Sequence, residues 1–257
     1  MYGESVFTTI RMSHGKIHDW SYHLERLKQG VEYVYGPFKD TLSGAPQFEA
    51  ELQKLLQSET GDRILRLTVY LEQDRGLIMK KDLSWSELKV ALHSSSLEPA
   101  WQENKIFSLR SCKAPERLDW WPSFLKAGNY LETILSQKKY LRPGDDDLLF
   151  LSSEGNVLES SVANIFFVRH NKLYTPPAAP RVLAGIMRRK VLESAGEFFE
   201  SCHEIAAPLD QLLSAEAVFG TNSIRGPFLI GRIDDYHLHY SQDFLDKFDL
   251  LKKRVLT

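Results

Sequence analysis

The sequence predicts an α+β fold, on three observations. Apolar residues recur at helical spacings near both ends of the chain, short apolar runs separated by turn signals fill residues 148–175, and no regular alternation of strand and helix runs through the whole. A doubly wound parallel sheet needs that alternation, so segregated helices and antiparallel strands are expected instead.

The elements follow in order. Residues 6–10 form an opening apolar segment, and Trp20, Leu24, Leu27, Val31 and Val34 mark an amphipathic helix with Asp19 as its cap. Arg26 projects roughly opposite that stripe, where an arginine is ordinarily solvated. Phe48, Leu52, Leu55 and Leu56 carry a second helix after a Ser-Gly-Ala-Pro turn, and residues 64–71 and 88–93 read as strands. Residues 94–104 are polar and contain a proline, the composition of a connection between two bodies. The expected organisation is therefore a small N-terminal α/β domain over 1–95, a linker over 96–104 and a larger domain over 105–257.

In the second body a strand is expected at 106–109, then a tryptophan-rich loop and a helix carrying Leu131, Ile134 and Leu135. Runs at 148–151, 157–160, 164–168 and 173–175, punctuated by turn residues at 153–156 and 170–172, predict an antiparallel meander. A helix at 187–199 follows Gly185, a strand covers 218–221, and a final helix passes through Phe244, Leu245, Phe248 and Leu251.

Composition narrows the function. A chain of 257 residues, 43% hydrophobic, buries one large core or two smaller ones. With 32 basic and 34 acidic residues the net charge is −2, which leaves no electrostatic footprint for nucleic acid or an anionic membrane. Cys112 and Cys202 are far apart and form no metal or disulfide pattern, so inert thiols in a reducing cytoplasm are expected. No basic segment leads into an apolar stretch at the N-terminus, and no apolar run is long enough to span a membrane, so a cytoplasmic protein is expected. The usual nucleotide, serine-hydrolase and zinc-protease motifs are missing, and His237 and His239 read as surface histidines, leaving no metal site.

Two strings carry chemistry. Phe124-Leu125-Lys126-Ala127-Gly128-Asn129-Tyr130-Leu131 places a lysine among apolar and small residues, where desolvation favours the neutral amine that forms an imine. The string from Glu154 to Phe166 sets Glu159 on an otherwise apolar strand end, and a buried acid requires a partner.

With these strings, Val6-Phe7-Thr8-Thr9-Ile10-Arg11, His23-Leu24-Glu25-Arg26-Leu27, Tyr174-Thr175-Pro176-Pro177 and Leu183-Ala184-Gly185-Ile186-Met187-Arg188 occur in an order that resembles the class IV aminotransferases, the fold-type IV enzymes of pyridoxal 5′-phosphate (PLP). The resemblance covers nearly the whole chain. It implies a two-domain fold like that of D-amino acid aminotransferase, a homodimer, a small amino-bearing substrate and PLP held as a Schiff base on Lys126. Glu159 would pair with the pyridine nitrogen and Tyr130 would lie near the ring oxygen. Arg26 and the turn at Gly185, Ile186 and Met187 would hold the phosphate, with Thr221 supplying a hydroxyl in place of the threonine that many transaminases carry at the position of Met187.

Substrate contacts are expected from Phe7, Thr9 and Asn222. A cationic clamp is expected from Arg75, with Arg66 as a second choice. Phe7-Thr8-Thr9 in place of F-E-T, and Gly185-Ile186-Met187-Arg188 in place of G-I-T-R, resemble the 4-amino-4-deoxychorismate lyase branch of the family, while a branched-chain or D-amino acid aminotransferase remains the alternative. Relatives usually carry about twenty residues before the Val6 segment, so the edge of the first sheet is expected to be shorter or covered differently.

Overall fold

Leucine and valine alternate with polar residues along Arg63–Leu71, which makes that segment a strand with one buried face: Leu65, Leu67 and Val69 are fully buried. In a computed structural model describing residues 4–38, 44–72, 83–98, 105–114, 122, 124–178 and 181–257, this strand, β3, lies at the centre of an antiparallel sheet. Its neighbours are β1 (Val6–Ser13) and β4 (Leu88–Ser96), and β2 (Lys16–Ile17) flanks β1, giving the order β2-β1-β3-β4. Helix α1 (Trp20–Tyr35) packs against β1, and α2 (Gly44–Gln57) adds Leu52 and Leu56 to the core. The sheet belongs to a compact unit made of residues 1–99 and 124–130.

Several expectations shift in this unit. Asp19 does precede α1, but in a left-handed conformation with no side-chain cap bond. The strand expected at 88–93 continues to Ser96, because Ser94, Ser95 and Ser96 pair with Leu65, Ile64 and Arg63. Arg26 is buried rather than solvated, since the inner face of α1 includes His23, Arg26 and Gly30 as well as Leu27 and Val31. Residues 124–130 group with this unit although the sequence expectation placed them in 105–257: Phe7 N donates to Lys126 O at 2.9 Å and Gly128 N to Ser5 O at 2.7 Å, extending the sheet along the free edge of β1.

The second unit comprises residues 100–123 and 131–257. Its sheet contains β5 (Phe107–Lys113), β6 (Asp147–Leu151), β7 (Val157–Ser160), β8 (Asn164–Arg169), β9 (Lys172–Thr175), β10 (Ser201–Glu204), β11 (Ala217–Asn222), β12 (Gly226–Ile233) and β13 (Tyr236–His237). The order is β10-β9-β8-β11-β12-β5-β6-β7, with β13 on β12. A further pairing of β7 with β8, at Glu159 and Asn164, closes β5, β6, β7, β8, β11 and β12 into a ring. Closure removes the free edges that an open sheet would expose.

Strand alternation then separates two cores. Ile165, Phe167, Val218 and Phe228 pack on one face. On the other, Phe166 and Phe219 stack at 5.2 Å beneath α4 (Ile186–Ser194) and α6 (Gln242–Leu256). A short α5 (Leu209–Leu213) precedes β11. The helix expected at 187–199 stops at Ser194 and tightens into a 3₁₀ turn over Ala195–Glu197. Helix α3 (Leu131–Tyr140) leaves Leu131, Ile134 and Leu135 exposed and buries Ser136. The tryptophan-rich loop at 115–121 and Arg75 lie outside the described residues. Among those described, no helix is long and apolar enough to cross a membrane, and His237 and His239 are exposed.

Candidate active site

The candidate residues fall into two groups, one in each unit. In the first unit, Leu125 and Ala127 are buried on either side of Lys126, which is half-buried, so the strand-like pairing with β1 fixes its backbone. Its Nζ donates to Tyr130 Oη at 3.1 Å and lies 4.9 Å from the centroid of the Phe7 ring. Phe7 also packs against Tyr130, at 5.7 Å, and under the Arg66 guanidinium, whose Cζ is 3.8 Å from the ring centroid. Arg66 stands beside Thr9 in the register of β1 and β3. Among the described residues neither Arg66 nor Arg11 has a carboxylate partner, and Arg11 Nε is buried with no hydrogen bond.

Alternation sends Thr8 to the opposite face of β1, against α1. Arg26 Nη2 donates to Thr8 Oγ1 at 3.0 Å, while Arg26 Nε is buried with no hydrogen-bond partner among the described residues. Burial lowers the Arg26 pKa to about 10, partly offset by Tyr130. His23 lies 2.6 Å from Thr8 through Nδ1, and burial first, then Arg26 and Lys126, holds its pKa well below the ordinary imidazole value. Sequence reading missed Thr8 and His23 as partners of Arg26. The signal was present in the His23-to-Leu27 segment, but only the sheet brings Thr8 to it.

In the second unit Glu159 Oε2 accepts from Leu183 N at 2.9 Å and from Asn164 Nδ2 at 3.3 Å. Asn164 Nδ2 also donates to Leu183 O at 2.7 Å, tying the strand to the turn before α4. Gly185 begins that helix, and a Cβ there would stand 2.1 Å from Asn164 Oδ1, so only glycine admits the approach. The side chains of Ile186 and Met187 are buried in the core, which leaves their backbone amides as the groups they can offer, at a helix start with no side-chain cap. Thr221 faces Asn164 in register, fully buried, with Oγ1 lacking a hydrogen-bond partner among the described residues. Asn222 spends its Oδ1 on the amides of Ile224 and Arg225 at 3.1 and 2.9 Å, capping the following turn. Arg181 shares a cleft with Glu159, Phe150 and Leu158, a placement nothing in its sequence neighbourhood signals.

A family model described as amino-transferase class IV matches residues 5–233. The chain belongs to the class IV aminotransferases. It is accordingly a PLP-dependent enzyme of that family, with the family's α+β fold. An aminodeoxychorismate lyase of Vibrio harveyi is 26% identical over 230 residues, covering 88% of this chain and 81% of that one. A probable branched-chain-amino-acid aminotransferase of Rickettsia bellii is 30% identical over 222 residues, covering 86% and 75%. The crystal structure of a putative 4-amino-4-deoxychorismate lyase from Legionella pneumophila superposes with a TM-score of 0.78 at 26% identity, covering 98% of this chain and 91% of that one.

The residues present suit the cofactor of a class IV aminotransferase. A phosphate dianion requires fixed donors, and among the described residues each unit has groups of that kind: in the first, Arg26 Nε is buried with no hydrogen-bond partner, and in the second, Thr221 Oγ1 is likewise unpartnered and the start of α4 has no side-chain cap. Lys126 is an amine hydrogen-bonded to a phenol beside an aromatic face, and Glu159 is a carboxylate held in place by two donors.

Proposed function

We propose that this chain is a 4-amino-4-deoxychorismate lyase, releasing 4-aminobenzoate and pyruvate. The observation that carries the reading is the cationic face of β1 and β3: Arg11 and Arg66, without carboxylate partners among the described residues, lie on the Phe7 side of the sheet, whose edge holds Lys126. The substrate of this lyase bears two carboxylates, and two arginines match that demand better than one. The aminodeoxychorismate lyase of Vibrio harveyi and the putative lyase of Legionella pneumophila support the same choice.

When bound, PLP supplies a ring that accepts the electrons released at the substrate's amine-bearing carbon. Lys126 is the residue we assign to carry it and to move the proton, with Nζ oriented by Tyr130 and set against the Phe7 ring. Glu159 is assigned to the pyridine nitrogen, its carboxylate oriented by Leu183 and Asn164. Arg26, the amides of Ile186 and Met187 and the Thr221 hydroxyl are assigned to the phosphate. Arg66, with Thr9 beside it, is assigned to a substrate carboxylate, and Arg75 remains a further candidate for that role. We also take the enzyme to work as a homodimer, a reading that the exposed stripe of Leu131, Ile134 and Leu135 supports.

The test supplies the purified chain and PLP with 4-amino-4-deoxychorismate, and in parallel with a panel of L- and D-amino acids and 2-oxo acids. Formation of 4-aminobenzoate and pyruvate without amino transfer is the expected result. Amino transfer alone would establish the aminotransferase reading that the Rickettsia bellii relative supports. Borohydride reduction followed by peptide mass analysis checks the lysine, with the cofactor mass expected on Lys126 and nowhere else.

A further inference from the structure

The Thr8 hydroxyl stands between two side chains of α1. It receives a hydrogen bond from Arg26 Nη2 at 3.0 Å and lies 2.6 Å from His23 Nδ1. All three residues are buried, with Thr8 at 0%, His23 at 1% and Arg26 at 8% exposure. A hydroxyl has one proton to give. Since Arg26 donates into the oxygen, the Thr8 proton has one productive direction, towards an unprotonated His23 Nδ1. The reverse arrangement would place a proton on Nδ1, either as the other neutral tautomer, which leaves the Thr8 proton without an acceptor, or as an imidazolium, which would also be buried beside Arg26 and near Lys126.

The donor direction therefore runs from Arg26 through Thr8 to a neutral His23, and among the described residues no carboxylate takes part. Arg26 is oriented by a neutral group, so its full charge stays available to an external anion.

We propose that Thr8 is a positioning residue for phosphate binding, fixing the Arg26 guanidinium through a neutral relay to His23 so that its charge is spent on the cofactor's phosphate. This deepens the assignment of Arg26 to the phosphate and rests on it.

The experiment titrates the cofactor-free full chain with PLP and with pyridoxal, which lacks the phosphate, and reads dissociation constants from the visible absorption of the lysine-bound form. Thr8→Val is expected to weaken PLP about tenfold or more, on the order of one hydrogen bond to a charged group, with pyridoxal unchanged. Thr8→Ser should restore the PLP constant. If Thr8→Val does not fold, Thr8→Ala is read in the same way.

A merely structural role would move both ligands together, and that outcome, or a Thr8→Val protein indistinguishable from the parent, overturns the proposal. Arg26→Gln separates the two levels. If it leaves the preference for PLP over pyridoxal unchanged, the phosphate assignment itself fails. If it abolishes the preference while Thr8→Val does not, only the role of Thr8 is lost.

Discussion

Arg26 sits on α1 at a position where helical periodicity alone puts a solvated side chain, yet it is buried. The cause is local and chemical: β1 offers a hydroxyl at Thr8, and α1 adds His23 one turn earlier, so a polar strip replaces part of the apolar face. Burying neutral His23 has a consequence with a definite sign. Its pKa in the fold lies well below the unfolded value of 6.5, through burial and then the charges of Arg26 and Lys126. Above that unfolded value neither state binds the proton, and below it only the unfolded chain does. Stability is therefore expected to fall as pH drops below 6.5, by up to about 1.4 kcal/mol per pH unit from this group. Urea unfolding between neutral and mildly acidic pH should show that slope, and His23→Gln, with nothing to protonate, should flatten it. Glu159→Gln preserves shape and both incoming hydrogen bonds but removes the charge; turnover is expected to fall by about 10²-fold or more with the cofactor still bound, measured by product formation and absorbance on one sample.

Among the elements, the turn into α4 couples most directly to the proposed site. Asn164 on β8 binds Glu159 and the Leu183 carbonyl, and its Oδ1 occupies the space a Cβ on Gly185 would need. Gly185→Ala is expected to cost about 1–3 kcal/mol of stability, the usual range for overpacking a filled site, and to weaken PLP binding by shifting the first amides of α4. Denaturant unfolding and cofactor titration measure the two effects. The same element level shows where periodicity runs short. Strand β12 went unread because Gly226, Pro227 and Gly231 carry turn signals, although the strand lies between β11 and β5 and buries Phe228 and Ile230. Strand β5 extends to Lys113, four residues beyond the expected 106–109, because Arg110 and Ser111 meet Asp145 and Asp234 along a polar margin that reads as loop.

For the molecule as a whole, a cofactor that binds the folded chain alone stabilises it by mass action. Saturation with PLP at a hundredfold its dissociation constant is expected to add about 2.7 kcal/mol, seen as a rise in melting temperature that Lys126→Ala largely loses. By itself the sequence determined the class of fold and most of the element order, and it named the candidate residues on which the proposed site rests. Those depend on short-range period, turn chemistry and motifs contiguous in the chain, such as the strings around Lys126 and Glu159. Only the tertiary structure decided that Thr8 stands against Arg26, that Asn164 closes the ring against Glu159 and that residues 124–130 join the sheet of β1. Burying a cation or closing a sheet depends on which groups distant segments bring opposite one another, and no local pattern contains that pairing.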